Sequence, residues 1–222
     1  MNRQLSLKYE DAKPLINEAD VLLFRGSGWV SYFISIGSES PYTHVGIASW
    51  INGDSNILEC VEFKEGSPID ALFGLNSGGG RAVNLNREVV KNPGRIDVYR
   101  PVKFCSEWIF EEETQTTTLN RREINPRAIT STMRKMTGLP YGWKRIWWLA
   151  KHKMLGFRLF TNVEDLQCDT IGDMIYPVCS TAIAYSFNAN GYDLIHNKSD
   201  QWAEPADIAR SARLSYLFTL DP

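Results

Sequence analysis

Two short stretches, far apart in this chain, carry the residues best suited to covalent chemistry. Val178-Cys179-Ser180-Thr181-Ala182 puts a cysteine at the start of a predicted helix, and Tyr42-Thr43-His44-Val45-Gly46-Ile47 puts a histidine at the head of a predicted strand. A thiol at a helix N-terminus is acidified by the helix dipole and by the unpaired first-turn N–H groups. An imidazole close enough to take the thiol proton completes a nucleophile and its base, the pair used by thiol hydrolases and transferases. A third polar group orients such a base. Glu59, in Ile57-Leu58-Glu59-Cys60, supplies one on the strand expected to return beside His44. A carboxylate on the buried side of an apolar strand needs a partner, and an imidazole N–H is a good one. A changed register would turn Glu62 inward instead, and alternation alone leaves both choices open. Tyr42 reads in two ways: lining the site with its hydroxyl toward a developing oxyanion, or packing as an aromatic where the strand begins.

Positioning those side chains falls to elements that the sequence marks in part. Residues 9–19 read as a short helix leading into a strand at Asp20-Val21-Leu22-Leu23-Phe24-Arg25, and residues 29–36 carry apolar positions at helical spacing. His44 to Ile51 is rich in Val and Ile, Asn52-Gly53 is a strong hairpin turn, and residues 56–63 form the return strand. Asn76-Ser77-Gly78-Gly79-Gly80-Arg81 is expected to be a flexible loop, a flap near the substrate groove or a plain surface loop. No Lys-Ser/Thr follows it, so it is not a phosphate-binding loop. Residues 95–100 alternate as a half-buried strand does. From about 106 to 167 the character changes. Glu111-Glu112-Glu113 and Thr116-Thr117-Thr118 suggest a solvated connection, Asn125-Pro126 opens a helix to about Met136, and 143–155 forms a second helix. Helices are also expected at 179–188 and 205–211. Strands first and helices after predict an α+β fold, a small antiparallel sheet packed on helices. The expected organisation is one domain over residues 1–222 with a helical insertion at about 106–167.

Composition narrows the function classes. A chain of 222 residues that is 43% hydrophobic has enough apolar material for one full core. A net charge of −2 provides no basic field to draw nucleic acid, so no nucleic-acid partner is expected. The four cysteines, Cys60, Cys105, Cys168 and Cys179, form no CxxC pair, and with three histidines they give no zinc-like spacing. Cys60, Cys105 and Cys168 are read as structural. The stretch from Met1 to Asp11 has no apolar signal core, and no apolar run is long enough to span a bilayer; a cytoplasmic location is the expectation. Lys144, Arg145, Lys151, His152 and Lys153 flank an apolar stripe carrying Trp143 and Trp147. Such a helix either rests on a membrane surface or turns its charges to solvent over a core-facing stripe, and the second reading is preferred.

Taken together, Asp20-Val21-Leu22-Leu23-Phe24-Arg25-Gly26, Tyr42 to Ile47, Ile57-Leu58-Glu59, Val98-Tyr99-Arg100-Pro101, Pro140-Tyr141, Cys179-Ser180 with Gly191 downstream, and Glu204-Pro205-Ala206-Asp207-Ile208-Ala209 form an ordered set. In that order the chain resembles the permuted papain-like amidase/peptidase group of NlpC type, in particular its YiiX-like branch. The resemblance is weakest over about residues 103–136. It implies a circularly permuted papain-like fold, with Cys179 as nucleophile, His44 as base and Glu59 as the orienting third residue. It implies a small substrate, a peptide such as those of cell-wall peptidoglycan or a lipid amide, and requires no metal or organic cofactor. A lipid-directed thioesterase or acyltransferase and a non-catalytic binding module of the same fold are the rival readings. The oligomeric state is not set by the sequence.

Overall fold

The computed structural model describes residues 5–26, 40–61, 79–92, 94–111, 115–139, 141, 178–196 and 198–221. Nine strands lie among them: β1 (Ser6–Lys8), β2 (Val21–Phe24), β3 (His44–Ile51), β4 (Asp54–Val61), β5 (Gly79–Asn84), β6 (Ile96–Pro101), β7 (Phe104–Glu111), β8 (Thr116–Glu123) and β9 (Leu214–Asp221). The α-helices are α1 (Tyr9–Ala12), α2 (Leu85–Lys91), α3 (Pro126–Lys135), α4 (Cys179–Asn188) and α5 (Pro205–Ala209). Seven strands join in one sheet in the order β1-β9-β6-β2-β3-β4-β5, antiparallel throughout except for β1 against β9. The fold is mixed α+β, a sheet packed against helices, as the sequence predicts.

The β3–β4 hairpin is the frame of the site. Val45, Ile47, Leu58 and Cys60 point to one face and Ala48 and Ile57 to the other, all fully or almost fully buried. Burial on both faces explains the near-continuous apolar runs. The turn is the expected one, with Asn52 at φ 52° and Gly53 at φ 87°, conformations that Asn and Gly adopt most readily. On one face, α3 and α4 pack through Ile129, Met133, Ala182, Ile183 and Phe187. On the other, α1 and α2 pack through Tyr9, Ala12, Leu85 and Val89. Asn84 caps α2 by accepting from the Arg87 N–H, and Asn125 caps α3 by accepting from the Ala128 N–H at 3.1 Å.

The structure corrects the sequence reading in two places. The stretch predicted as a solvated connection is a hairpin, β7 paired with β8 from Phe104↔Glu123 to Glu111↔Thr116. Thr116 to Thr118 are exposed, and β-branched residues with wet side chains serve a two-stranded ribbon as well as a loop. Gly79, Gly80 and Arg81, predicted within a flexible loop, begin β5. Here glycine serves close approach, not mobility. A Cβ on Gly80 would lie 2.2 Å from the Met136 carbonyl oxygen. The turn after α3 is hydrogen-bonded to that backbone, Gly80 N–H to Leu139 at 3.1 Å and Gly138 N–H to Gly80 at 2.9 Å.

Strands β1 and β9 and helix α2 had no counterpart in the sequence reading. The helices expected at 29–36 and 143–155, the basic residues of the latter, Cys168, Glu62, Pro140 and positions 76–78 all lie outside the described residues. No helix among the described residues is long and apolar enough to cross a membrane.

Candidate active site

His44 is the first residue of β3 and Cys179 the first of α4, so both stand at the ends of their elements. Nε2 of the imidazole lies 2.7 Å from Glu59 Oε2, and the Cys179 thiol adjoins the same ring. With Nε2 held by Glu59, Nδ1 is the nitrogen left for the thiol. The Phe24 ring, directly across β2, meets the imidazole edge-on at 5.1 Å between centroids and fixes its plane. His44 keeps 24% of its side chain exposed, whereas Glu59 keeps 2%.

Register explains how Glu59 arrives there. It pairs with Gly46 across β3 and with Arg81 across β5. Alternation puts His44 on the same face as Gly46, so the carboxylate lies diagonally across from the imidazole. Gly46 leaves little room for anything larger, since a Cβ there would lie 2.4 Å from Ile57 Cδ1.

Arg81 is the group that sequence reasoning missed. Its Nε and Nη2 donate to Glu59 Oε1 at 2.9 and 2.6 Å, so each carboxylate oxygen has its own partner. Arg81 Nη2 also lies 3.7 Å from Glu88 Oε2 on α2. The signal was present in the sequence, an arginine in phase with the buried face of a strand. It was hidden by three preceding glycines that read as a loop.

The electrostatics follow from this arrangement. Burial works against charge on His44, but Cys179 and Glu59 beside it outweigh that effect, and the imidazole pKa is pushed up to about 10. Burial likewise opposes charge on Glu59, yet its bonds to His44 and Arg81 hold the carboxyl below its ordinary 4.5. Cys60, on the same strand, has its thiol pushed up, first by burial and then by the Cys179 and Glu59 charges. It stays a protonated core residue.

A stability prediction follows with its sign. A group whose folded pKa is raised stabilises fully below its unfolded value, so the His44 contribution is complete below 6.5 and is lost as pH rises through about 10. Glu59, lowered from 4.5, contributes above that pH and loses its contribution on acidification. The difference in urea midpoint between wild type and His44→Gln is therefore expected to be largest between about pH 4.5 and 6.5. It is expected to shrink steadily toward pH 10.

Helix α4 supplies the other half. Its first turn has N–H groups with no partner inside the helix, including that of Cys179 itself. Thr181 closes the cap, its Oγ1 accepting from Val178 N–H at 3.1 Å, and Ser180 Oγ donates to the Ala203 carbonyl at 2.6 Å. Nine of the ten α4 residues are buried, so the thiol sits at the end of a firmly packed rod.

Tyr42 lies in the same core cluster as Cys179, but its hydroxyl donates to Asp97 Oδ2 at 2.6 Å and lies 3.0 Å from the Tyr99 hydroxyl. Burial first, and those bonds second, push the phenol pKa up. Asp97, itself fully buried, also takes Arg25 Nη2 at 2.6 Å and Thr219 Oγ1 at 2.6 Å. Tyr42 is thus anchored through its polar tip to the sheet beneath the site.

No family model matches the chain, and no curated protein matches it in sequence. Its fold is similar to that of a solved structure, the crystal structure of metalloprotein yiiX from Escherichia coli O157:H7. The TM-score is 0.58 at 13% identity, over 93% of this chain and 99% of that one. At that identity the likeness bears on the fold alone, and it supports the YiiX-like part of the resemblance. That protein is described as a metalloprotein. Among the described residues the site around His44 does not fit such a role, because both Glu59 oxygens are engaged by His44 and Arg81. Among the described residues no three His, Cys, Asp or Glu side chains gather to hold an ion. The chain shares a yiiX-like α+β fold.

Proposed function

We propose that the protein is a cysteine-dependent hydrolase that cleaves an amide bond through a thiol acyl-enzyme, on a permuted papain-like core. The observation that carries this reading is one imidazole that adjoins the Cys179 thiol and is bonded to a buried carboxylate.

Chemically, the Cys179 proton passes to His44 and the thiolate attacks the substrate carbonyl carbon, forming a C–S bond. The carbonyl oxygen takes the negative charge and is held by the Cys179 N–H at the start of α4. His44 gives its proton to the departing amine as the C–N bond breaks. A water molecule, deprotonated by the same imidazole, then cleaves the thioester and returns the thiol. Glu59 keeps the imidazole oriented and compensates its charge in each half-reaction. Tyr42 supports the site from beneath. Peptides of the peptidoglycan type are the first substrate class to test, because the resemblance of the motif set to the NlpC-type group implies that class.

The test compares wild type with Cys179→Ala on muropeptides and on fatty-acyl amides side by side. Amine release from one class, with an acyl group trapped on Cys179 by mass spectrometry, is the expected result, and Cys179→Ala abolishes both. Turnover of the lipid amides alone moves the substrate class to lipids. An unreactive Cys179 with no turnover of either class makes the protein a binding module.

A further inference from the structure

We propose that Arg81 is a positioning residue: through two bonds converging on Glu59 Oε1 it aims Oε2 at His44, and so sets the pH range over which Cys179 is reactive. This rests on the thiol–imidazole reading above. A carboxylate held on one oxygen only is free to rotate about its terminal bond. Arg81 Nε and Nη2, at 2.9 and 2.6 Å, grip one oxygen in a fork that a lysine cannot reproduce. Glu59 is 2% exposed, and a buried carboxyl without a cation takes up a proton. A protonated Glu59 would donate to His44 Nε2 where the site needs it to accept, which disfavours the imidazolium and with it the thiolate.

The charged and titratable groups facing this centre, among the described residues, come from four elements. They are Glu59 and Cys60 on β4, Arg81 on β5, Glu88 and Lys91 on α2, and Cys179 on α4. Glu88, on the far side of the guanidinium, shares its charge at 3.7 Å. The signs are therefore opposite. Removing the Arg81 charge makes thiolate formation harder, and removing the Glu88 charge makes it easier.

The experiment measures the rate of Cys179 alkylation by iodoacetamide, from about pH 4 to about pH 10, by mass mapping of the Cys179 peptide. The proteins are wild type, His44→Ala, Arg81→Met, Arg81→Lys and Glu88→Gln. The acid limb of Arg81→Met is expected about one pH unit above that of wild type. The Arg81→Lys limb is expected between the two, and that of Glu88→Gln below wild type. An Arg81→Met profile superimposed on wild type, while His44→Ala still removes the enhanced reactivity, overturns the role of Arg81 and leaves the pair intact. Reactivity indifferent to His44→Ala overturns the pair itself. If circular dichroism shows Arg81→Met unfolded, Arg81→Lys and Glu88→Gln decide, and two limbs unmoved from wild type sink the inference.

Discussion

Replacing His44 by alanine is expected to lower turnover of the amide substrate by on the order of 10^3-fold, with a much smaller change in KM. In the proposed mechanism the side chain performs three tasks in sequence: it accepts the thiol proton, protonates the leaving amine and activates water. Among the described residues no neighbour is placed to substitute. Glu59 faces Nε2, on the side of the ring away from the thiol, and Cys60 is a buried protonated thiol. The fold should tolerate the change, because His44 ends a strand and is partly exposed. Its loss removes one contact from Phe24 and one from Glu59, which keeps Arg81. A His44→Ala protein that folds normally by circular dichroism yet retains wild-type turnover would show that this imidazole takes no part in the chemistry.

Glu59→Leu is expected to cost about 3–5 kcal/mol of stability, measured by urea unfolding, together with the enhanced reactivity of Cys179. The cost comes less from the lost carboxylate than from what it strands. Arg81 forfeits its two short bonds to Glu59 while keeping a side chain only 13% exposed, and Glu88 at 3.7 Å compensates its charge less well. Breaking half of a buried ion pair is costly, whereas replacing both halves with apolar groups is often close to neutral. The double variant Glu59→Leu/Arg81→Leu should therefore recover most of the stability. It should recover none of the reactivity, because His44 still lacks its acceptor. Recovery of both would mean that Glu59 serves the fold and not the thiol.

Much of the site was legible because its parts are locally encoded. Asn52-Gly53 specifies a hairpin, the hairpin sets the register, and the register brings Glu59 diagonally to His44. The start of α4 at Cys179 was marked by the apolar helical run that follows it. What escaped depends on distant neighbours. Gly79 and Gly80 resemble a loop until the turn after α3 is known to lie against them, and Arg81 is hidden with them. Thr116 to Thr118 read as solvated, and so they are, but within a ribbon whose partner strand supplies the pairing. The pairing of β1 with β9 joins residues more than two hundred positions apart, which no local pattern can announce.

That last pairing has a consequence for how the chain acquires its shape. Strand β9 lies between β1 and β6, and its Thr219 bonds Asp97, the residue that also anchors Tyr42. A nascent polypeptide still missing this segment presents β6 as an open edge, its hydrogen-bonding groups available to any passing strand. The support for Tyr42 is therefore complete only once β9 has slotted in beside β6 and brought Thr219 to Asp97.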